Sequence, residues 1–166
     1  MSYISEQLLN TPLIMKPTDL GNDIDHIIED KLKLKIEGRC HENGFIVKDS
    51  VAIINRKMGK IVTNNRKSEI NYHVTYKAKI ISPSEGDELN IYINNINKMG
   101  VIGYIKIKDS DTSDDSPLVV MVPKEYFDGS SRNLNDLTIG QQIDVEVLGH
   151  RIKYRAKNIQ IIAKPL

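Results

Sequence analysis

The stretch that most constrains this chain runs from Pro83 to Ile107. It opens on Pro83-Ser84-Glu85-Gly86-Asp87, turn chemistry that breaks any regular element. From there Leu89, Ile91 and Ile93 alternate with Asn90, Tyr92 and Asn94. A period of two marks a half-buried strand. A polar corner over residues 94–98 leads to Gly100, and Val101, Gly103, Ile105 and Ile107 then alternate with Ile102, Tyr104, Lys106 and Lys108. Glycines inside a strand permit sharp bending. The two segments therefore predict the first hairpin of a small, tightly curved barrel.

A similar strand start recurs at Gly140, with Ile143, Val145 and Val147 on one face. Two such starts in one half of the chain predict an OB-type barrel over residues 83–166, a five-stranded fold that commonly holds single-stranded nucleic acid. Between them, Leu118–Val122 reads as a buried strand closed by Pro123, and Arg151–Ala163 as the last strand. Asp109–Ser116 carries no apolar residue and predicts an exposed, mobile loop.

Residues 1–82 read as a separate α+β domain. The first twelve residues predict a loose arm, and Leu13–Met15 a short strand. Thr18 is the predicted cap of a helix carrying Leu20, Ile24, Ile27 and Ile28 and ending near Lys31. Leu32, Leu34 and Ile36 alternate with lysines and read as a strand. Asn43-Gly44 predicts a type I′ hairpin turn, with a return strand through Phe45, Val47 and Val51–Ile54. Ile70, Tyr72, Val74, Tyr76, Ala78 and Ile80 give the longest alternating run. The fold class is thus α+β, mainly β, with boundaries at 1–82 and 83–166.

Chemistry is sparse. The four histidines are scattered, Cys40 is the single cysteine, and no nucleophile elbow, P-loop or dinucleotide fingerprint occurs. Neither a catalytic residue nor a metal or cofactor site is expected. A formal net charge of +1 argues against coating nucleic acid by bulk charge. The N-terminal residues are too polar for a signal peptide and no apolar run reaches membrane-spanning length, so a soluble intracellular chain with no membrane partner is expected. Two local patterns have nucleic-acid chemistry. Tyr104, Lys106 and Lys108 share one strand face, an aromatic ring beside two cations. Arg151, Lys153, Arg155 and Lys157 alternate, which on a strand puts all four on one side. Each pattern equally describes a solvated strand face. The Arg56-Lys57-Met58-Gly59-Lys60 loop with Arg66-Lys67 suits an RNA or an acidic protein partner.

The order of these segments resembles the stalk subunit of multisubunit DNA-directed RNA polymerases, the family of the seventh-largest subunit of eukaryotic RNA polymerase II and its archaeal counterpart. The resemblance rests on residues 31–40, residues 43–47, residues 59–62, and the strand at Tyr72–Ala78 followed by Pro83–Asp87. It implies an N-terminal tip domain that docks on the large catalytic subunits and an S1-type barrel that guides nascent single-stranded RNA. A smaller stalk partner and no catalytic role are also implied. By the resemblance, Pro17, Gly21, Lys57, Gly59, Lys60, Asn64 and Arg66 would dock, and the Tyr104 face would meet RNA. Met99 and Ile102 stand where S1-type modules carry aromatics, which weakens stacking. Divergence and an Ile-, Asn- and Lys-rich composition suit a large DNA virus. The expected location is then the virion and host cytoplasm, or the nucleus for a cellular protein. The competing reading is a free S1-type RNA-binding protein of translation or RNA decay.

Overall fold

The structure, a computed structural model, describes residues 3–166 apart from the side chain of Asn64. Tertiary contacts divide the chain into two compact units. One holds residues 3–4, Arg39–Phe45 and Ile81–Leu166, the other Ser5–Gly38 and Ile46–Ile80. About half of the chain is strand, with a single α-helix among the described residues.

In one sheet, β1 (Ile4–Met15) and β6 (Lys67–Ile81) are neighbours, and β3 (Gly44–Ile46), β4 (Ala52–Arg56) and β5 (Lys60–Asn64) also pair with β6. The expected loose arm is therefore a strand. Its odd and even positions differ little in polarity until Leu13 and Met15, which is why no alternation shows, yet the long β6 edge gives its backbone groups partners.

The helix α1 covers Ile24–Ile36, capped by Asp23, which accepts from His26 N at 3.3 Å. Thr18 instead lies in a 3-10 turn, Pro17–Asp19, where Asp19 accepts from Lys16 N at 3.0 Å. That bond, aided by Lys31, holds the Asp19 carboxyl below its ordinary pKa. The strand expected at Leu32–Ile36 is a helical continuation. Leu32 sits one turn after Ile28, both are buried, and Ile24, Ile27 and Ile36 flank them. Leu34, which a strand would bury beside Leu32, is 81% exposed. Helical periodicity wins because it supplies an unbroken stripe against Leu13, Met15, Val74, Tyr76 and Ile80.

The hairpin near Asn43 exists, one residue out of the expected register. Cys40 pairs with Phe45 and His41 with Gly44, so Glu42-Asn43 forms the turn between β2 (Cys40–His41) and β3. Neither turn residue has positive φ, and Gly44 takes φ 141°, so type I′ geometry is not used. It occurs instead at Asn65-Arg66, φ 47° and 65°, linking β5 to β6.

Five strands close the barrel, β7 (Glu88–Asn97), β8 (Gly100–Tyr104), β9 (Leu118–Pro123), β10 (Gln142–Arg151) and β11 (Ile159–Pro165), in the order β10-β11-β9-β8-β7. Only β9 and β11 run parallel. This closed, OB-like barrel matches the expected fold of the C-terminal half. Leu89, Ile91, Ile93, Val101, Val120, Val145 and Ile161 fill it. Gly100 and Gly103 act by closeness as well as by bending. A Cβ at Gly100 would stand 2.1 Å from the Val122 carbonyl oxygen, and one at Gly103 2.5 Å from Ile91 Cδ1.

Three expectations change within this unit. The corner at 94–98 is mostly strand, kinked by a bulge between Ile93 and Asn95. The acidic loop is ordered by its own carboxylates. Asp111 accepts from Ile107 N and Lys108 N, and a 3-10 turn forms at Ser113–Asp115. Ser116 is buried and accepts from Ile105 N at 3.2 Å. Finally, the long last strand begins only at Ile159, because β10 runs on through Gly149-His150 and the chain turns over residues 152–158.

Candidate nucleic-acid interface

Inside β7, Ile91 and Ile93 point into the barrel, so Tyr92 must point out. The β7–β8 register places Tyr104 directly opposite it. The two rings lie 5.6 Å apart at 28°, a stacked pair. Lys106 follows β8 but leaves the ladder, since Ile105 N turns to Ser116 Oγ. Its ammonium comes to rest 4.6 Å from the Tyr92 ring centre. Burial of Ser116 thus folds the lysine back over the tyrosines. The row continues outward to Gln142 on β10 and Val119 on β9. Two half-exposed rings and a cation can stack a base and hold its phosphate.

Tyr104 and Lys106 are therefore brought together as expected. Lys108 departs from the expected strand face, because β8 ends at Tyr104 and its backbone belongs to the turn closed by Asp111. Tyr92 is the residue that alternation along the chain does not single out. The signal that finds it is cross-strand register, and the bulge after Ile93 hides that register from simple counting along the hairpin.

The stripe Arg151, Lys153, Arg155, Lys157 does not form. Alternation builds a face only on a strand, and only Arg151 is in one, paired with Gln160. Arg155 has φ 64° in the following turn. That turn is held to the β2 hairpin by Cys40 N donating to Ala156 O at 2.7 Å and Arg155 N to Cys40 O at 2.8 Å. The Arg155 guanidinium lies 5.4 Å from the ring of Tyr154, which is 60% exposed and meets His41 edge-on. All four cations remain exposed, now around a knuckle. Cys40 beneath it is buried, and burial pushes its thiol up to about 11. Among the described residues no group of three or more His, Cys, Asp or Glu is placed to hold a metal ion.

In the other unit, the expected docking residues fall into two places. Pro17 opens the 3-10 turn ahead of α1 and Gly21 follows it, both exposed. Lys57 and Gly59 link β4 to β5, Lys60 opens β5, and Arg66 stands at the hairpin tip. Gly59 is a packing requirement, since a Cβ there would meet Ile70 Cγ2 and Tyr72 Cε1 at 2.7 Å. Asn64 has its backbone in β5, and its side chain lies outside the described residues. Arg56 is engaged already, bonded to Asp25 and 5.6 Å from the Tyr72 ring.

More conspicuous are apolar residues that alternation would hide. Met58 is 88% exposed, Ile61 75%, and Ile54 and Val62 about half. Ile61 and Val62 are adjacent in β5, so the β5–β6 ribbon shows apolar side chains on both faces. Helix α1, β4 and Met58 also border a groove of about 600 Å³ lined by Asp25, Glu29, Ile53 and Arg56.

No family model matches the chain, and no curated protein does. Among solved structures, the uncharacterized protein MJ1198 from Methanocaldococcus jannaschii is similar over 52% of this chain and 96% of its own. The pair shares 16% identity, with a TM-score of 0.39. Among the described residues no helix is long and apolar enough to cross a membrane.

Proposed function

We propose that this chain is a non-catalytic stalk subunit of a DNA-dependent RNA polymerase. The unit built on β6 docks on the large catalytic subunits, beside a smaller stalk partner. The barrel guides nascent single-stranded RNA across Tyr92, Tyr104 and Lys106. The observation that carries this reading is the β5–β6 ribbon. In it β5 hangs on the sheet through β6, and its Ile61 and Val62, bare on opposite faces, fit a cleft that covers both. The segment resemblance at residues 31–47 and 72–87 supplies the kind of machine. A free S1-type RNA-binding protein is the second reading. It is favoured by the tyrosine pair, which needs no docking unit to hold a strand.

The test is affinity purification of the tagged chain from its native cell, with the co-eluting proteins identified. Catalytic polymerase subunits should be recovered in stoichiometric amount. Ile61→Asp should abolish their recovery and leave the thermal midpoint of the isolated chain unchanged, since Ile61 is largely in water already. Elution with ribosomes or decay enzymes, or undiminished polymerase recovery by Ile61→Asp, would refute the docking assignment.

A further inference from the structure

The connection from β9 to β10 is long, lacks an α-helix, and is pinned at two points. Phe127 and Leu137 are both buried, so the chain between them must arch outward. Ser130 sets the arch, with Oγ 2.8 Å from Arg132 O and accepting from Arg132 N at 3.3 Å. Asn133 Oδ1 accepts from Asn135 N at 3.1 Å and starts a 3-10 turn at Leu134–Asp136. Between this arch and the β7–β8 turn lies a groove of about 730 Å³, within the size range of small-molecule sites.

Its lining has three chemistries. Ile96 and Leu134, both half-buried, offer apolar surface. Asn97, Asn133 and Asn135 offer amides, and Asn97 already uses its oxygen to accept from Met99 N. Lys98, Lys124 and Arg132 offer positive charge, with Asp128 the one carboxylate in the lining and Glu125 just outside it. None of the three cations has a carboxylate partner among the described residues. A concave wall with unneutralised cations, amides and apolar surface fits a nucleotide: phosphate on the cations, base edge on the amides, base face on the aliphatic side chains.

The groove also lies on the strand that carries Tyr92. Asn97, the last residue of β7 and part of the lining, follows Tyr92 by five positions, about 17 Å at the rise of a β-strand. OB-type modules occupy roughly 4 to 16 nucleotides of single strand, so one strand can reach both places. We propose that this groove is a second nucleotide-binding site of the barrel, in which Lys98, Lys124 and Arg132 hold a phosphate of the RNA strand that stacks on Tyr92 and Tyr104. The proposal rests on the RNA-guiding role of the barrel, and its test separates the two.

The full chain is titrated with fluorescein-labelled oligouridylates of four and twelve nucleotides across a range of salt. Variants are Lys98→Gln/Lys124→Gln/Arg132→Gln and Tyr92→Ala/Tyr104→Ala, each checked for a retained fold by circular dichroism. The groove variant should bind the 4-mer like the parent. It should bind the 12-mer about a hundredfold more weakly at 0.1 M salt. Its log K against log salt slope should be shallower by about 0.7, as one lost phosphate contact predicts for a single strand. Parental affinity and slope for the 12-mer would overturn the proposal, as would a parent chain that binds neither length. A 12-mer that depends on the groove but ignores the tyrosine variant would keep the groove and sink the tyrosine platform instead. Uridine monophosphate is titrated as well. If the groove captures it tightly while 12-mer binding is unaffected by the groove variant, the site takes free nucleotides and the strand reading is overturned.

Discussion

Replacing Tyr104 by alanine tests the barrel surface most directly. The side chain does two jobs, and the structure allows them to be separated. It stacks on Tyr92 at 5.6 Å, a contact worth roughly 0.5–1.5 kcal/mol to the fold beyond area. It also presents a half-exposed face, and base stacking on such a face is worth about 1–3 kcal/mol by alanine substitution. Tyr104→Ala should therefore weaken a 12-nucleotide oligouridylate by about five- to 150-fold, measured by fluorescence anisotropy at fixed salt. Denaturant unfolding should show a smaller loss of stability, so the barrel stays closed. Tyr104→Phe keeps the ring and should keep nearly all affinity. Lys106 should contribute the salt dependence, because its ammonium sits beside the Tyr92 ring, where an incoming phosphate can reach it. Two results would refute the reasoning: Tyr104→Ala binding as the parent does with the barrel intact, or Tyr104→Phe failing as badly as alanine. The second would make the hydroxyl, and not the π-face, the contact.

Two further predictions probe the scaffold. Leu32→Asp should unfold the β6 unit, whereas Leu34→Asp should shift stability by no more than about 0.5 kcal/mol, as an exposed helical position should; equal damage from both, read by urea titration, would restore strand periodicity there. Cys40 should resist thiol reagents at pH 8 and react rapidly once the chain is unfolded, because its pKa is raised from 9.0 to about 11 by burial. A raised thiol pKa stabilises the fold fully below pH 9 and loses that contribution as pH climbs toward 11, so stability should fall over that interval. Rapid labelling of the native chain would contradict the buried placement.

Local patterns served well where one face of an element meets one core. Leu89, Ile91 and Ile93 alternate because the barrel has an inside, and Tyr72–Ile80 alternate because helix α1 covers one face of the sheet that holds β6. The same rule misled at Leu32, Leu34 and Ile36. Three apolar residues in five positions satisfy period two and also leave an i, i+4 pair for a helix, and Ile28 upstream decides between them. It misled again at Arg151–Lys157. Spacing there describes a strand face, but Arg155 adopts a left-handed backbone and the segment turns to meet Cys40.

What the sequence determined by itself, then, is the barrel and the absence of any familiar catalytic motif, since both are written in short-range periodicity and residue type. Tertiary structure decided which cations meet which rings, that Met58 and Ile61 stand in water, and that Lys98, Lys124 and Arg132 border one groove. Those facts depend on strand register, on bulges and on how a loop is pinned at its ends. Each is set by contacts between residues far apart in the chain, which no window of neighbouring positions contains.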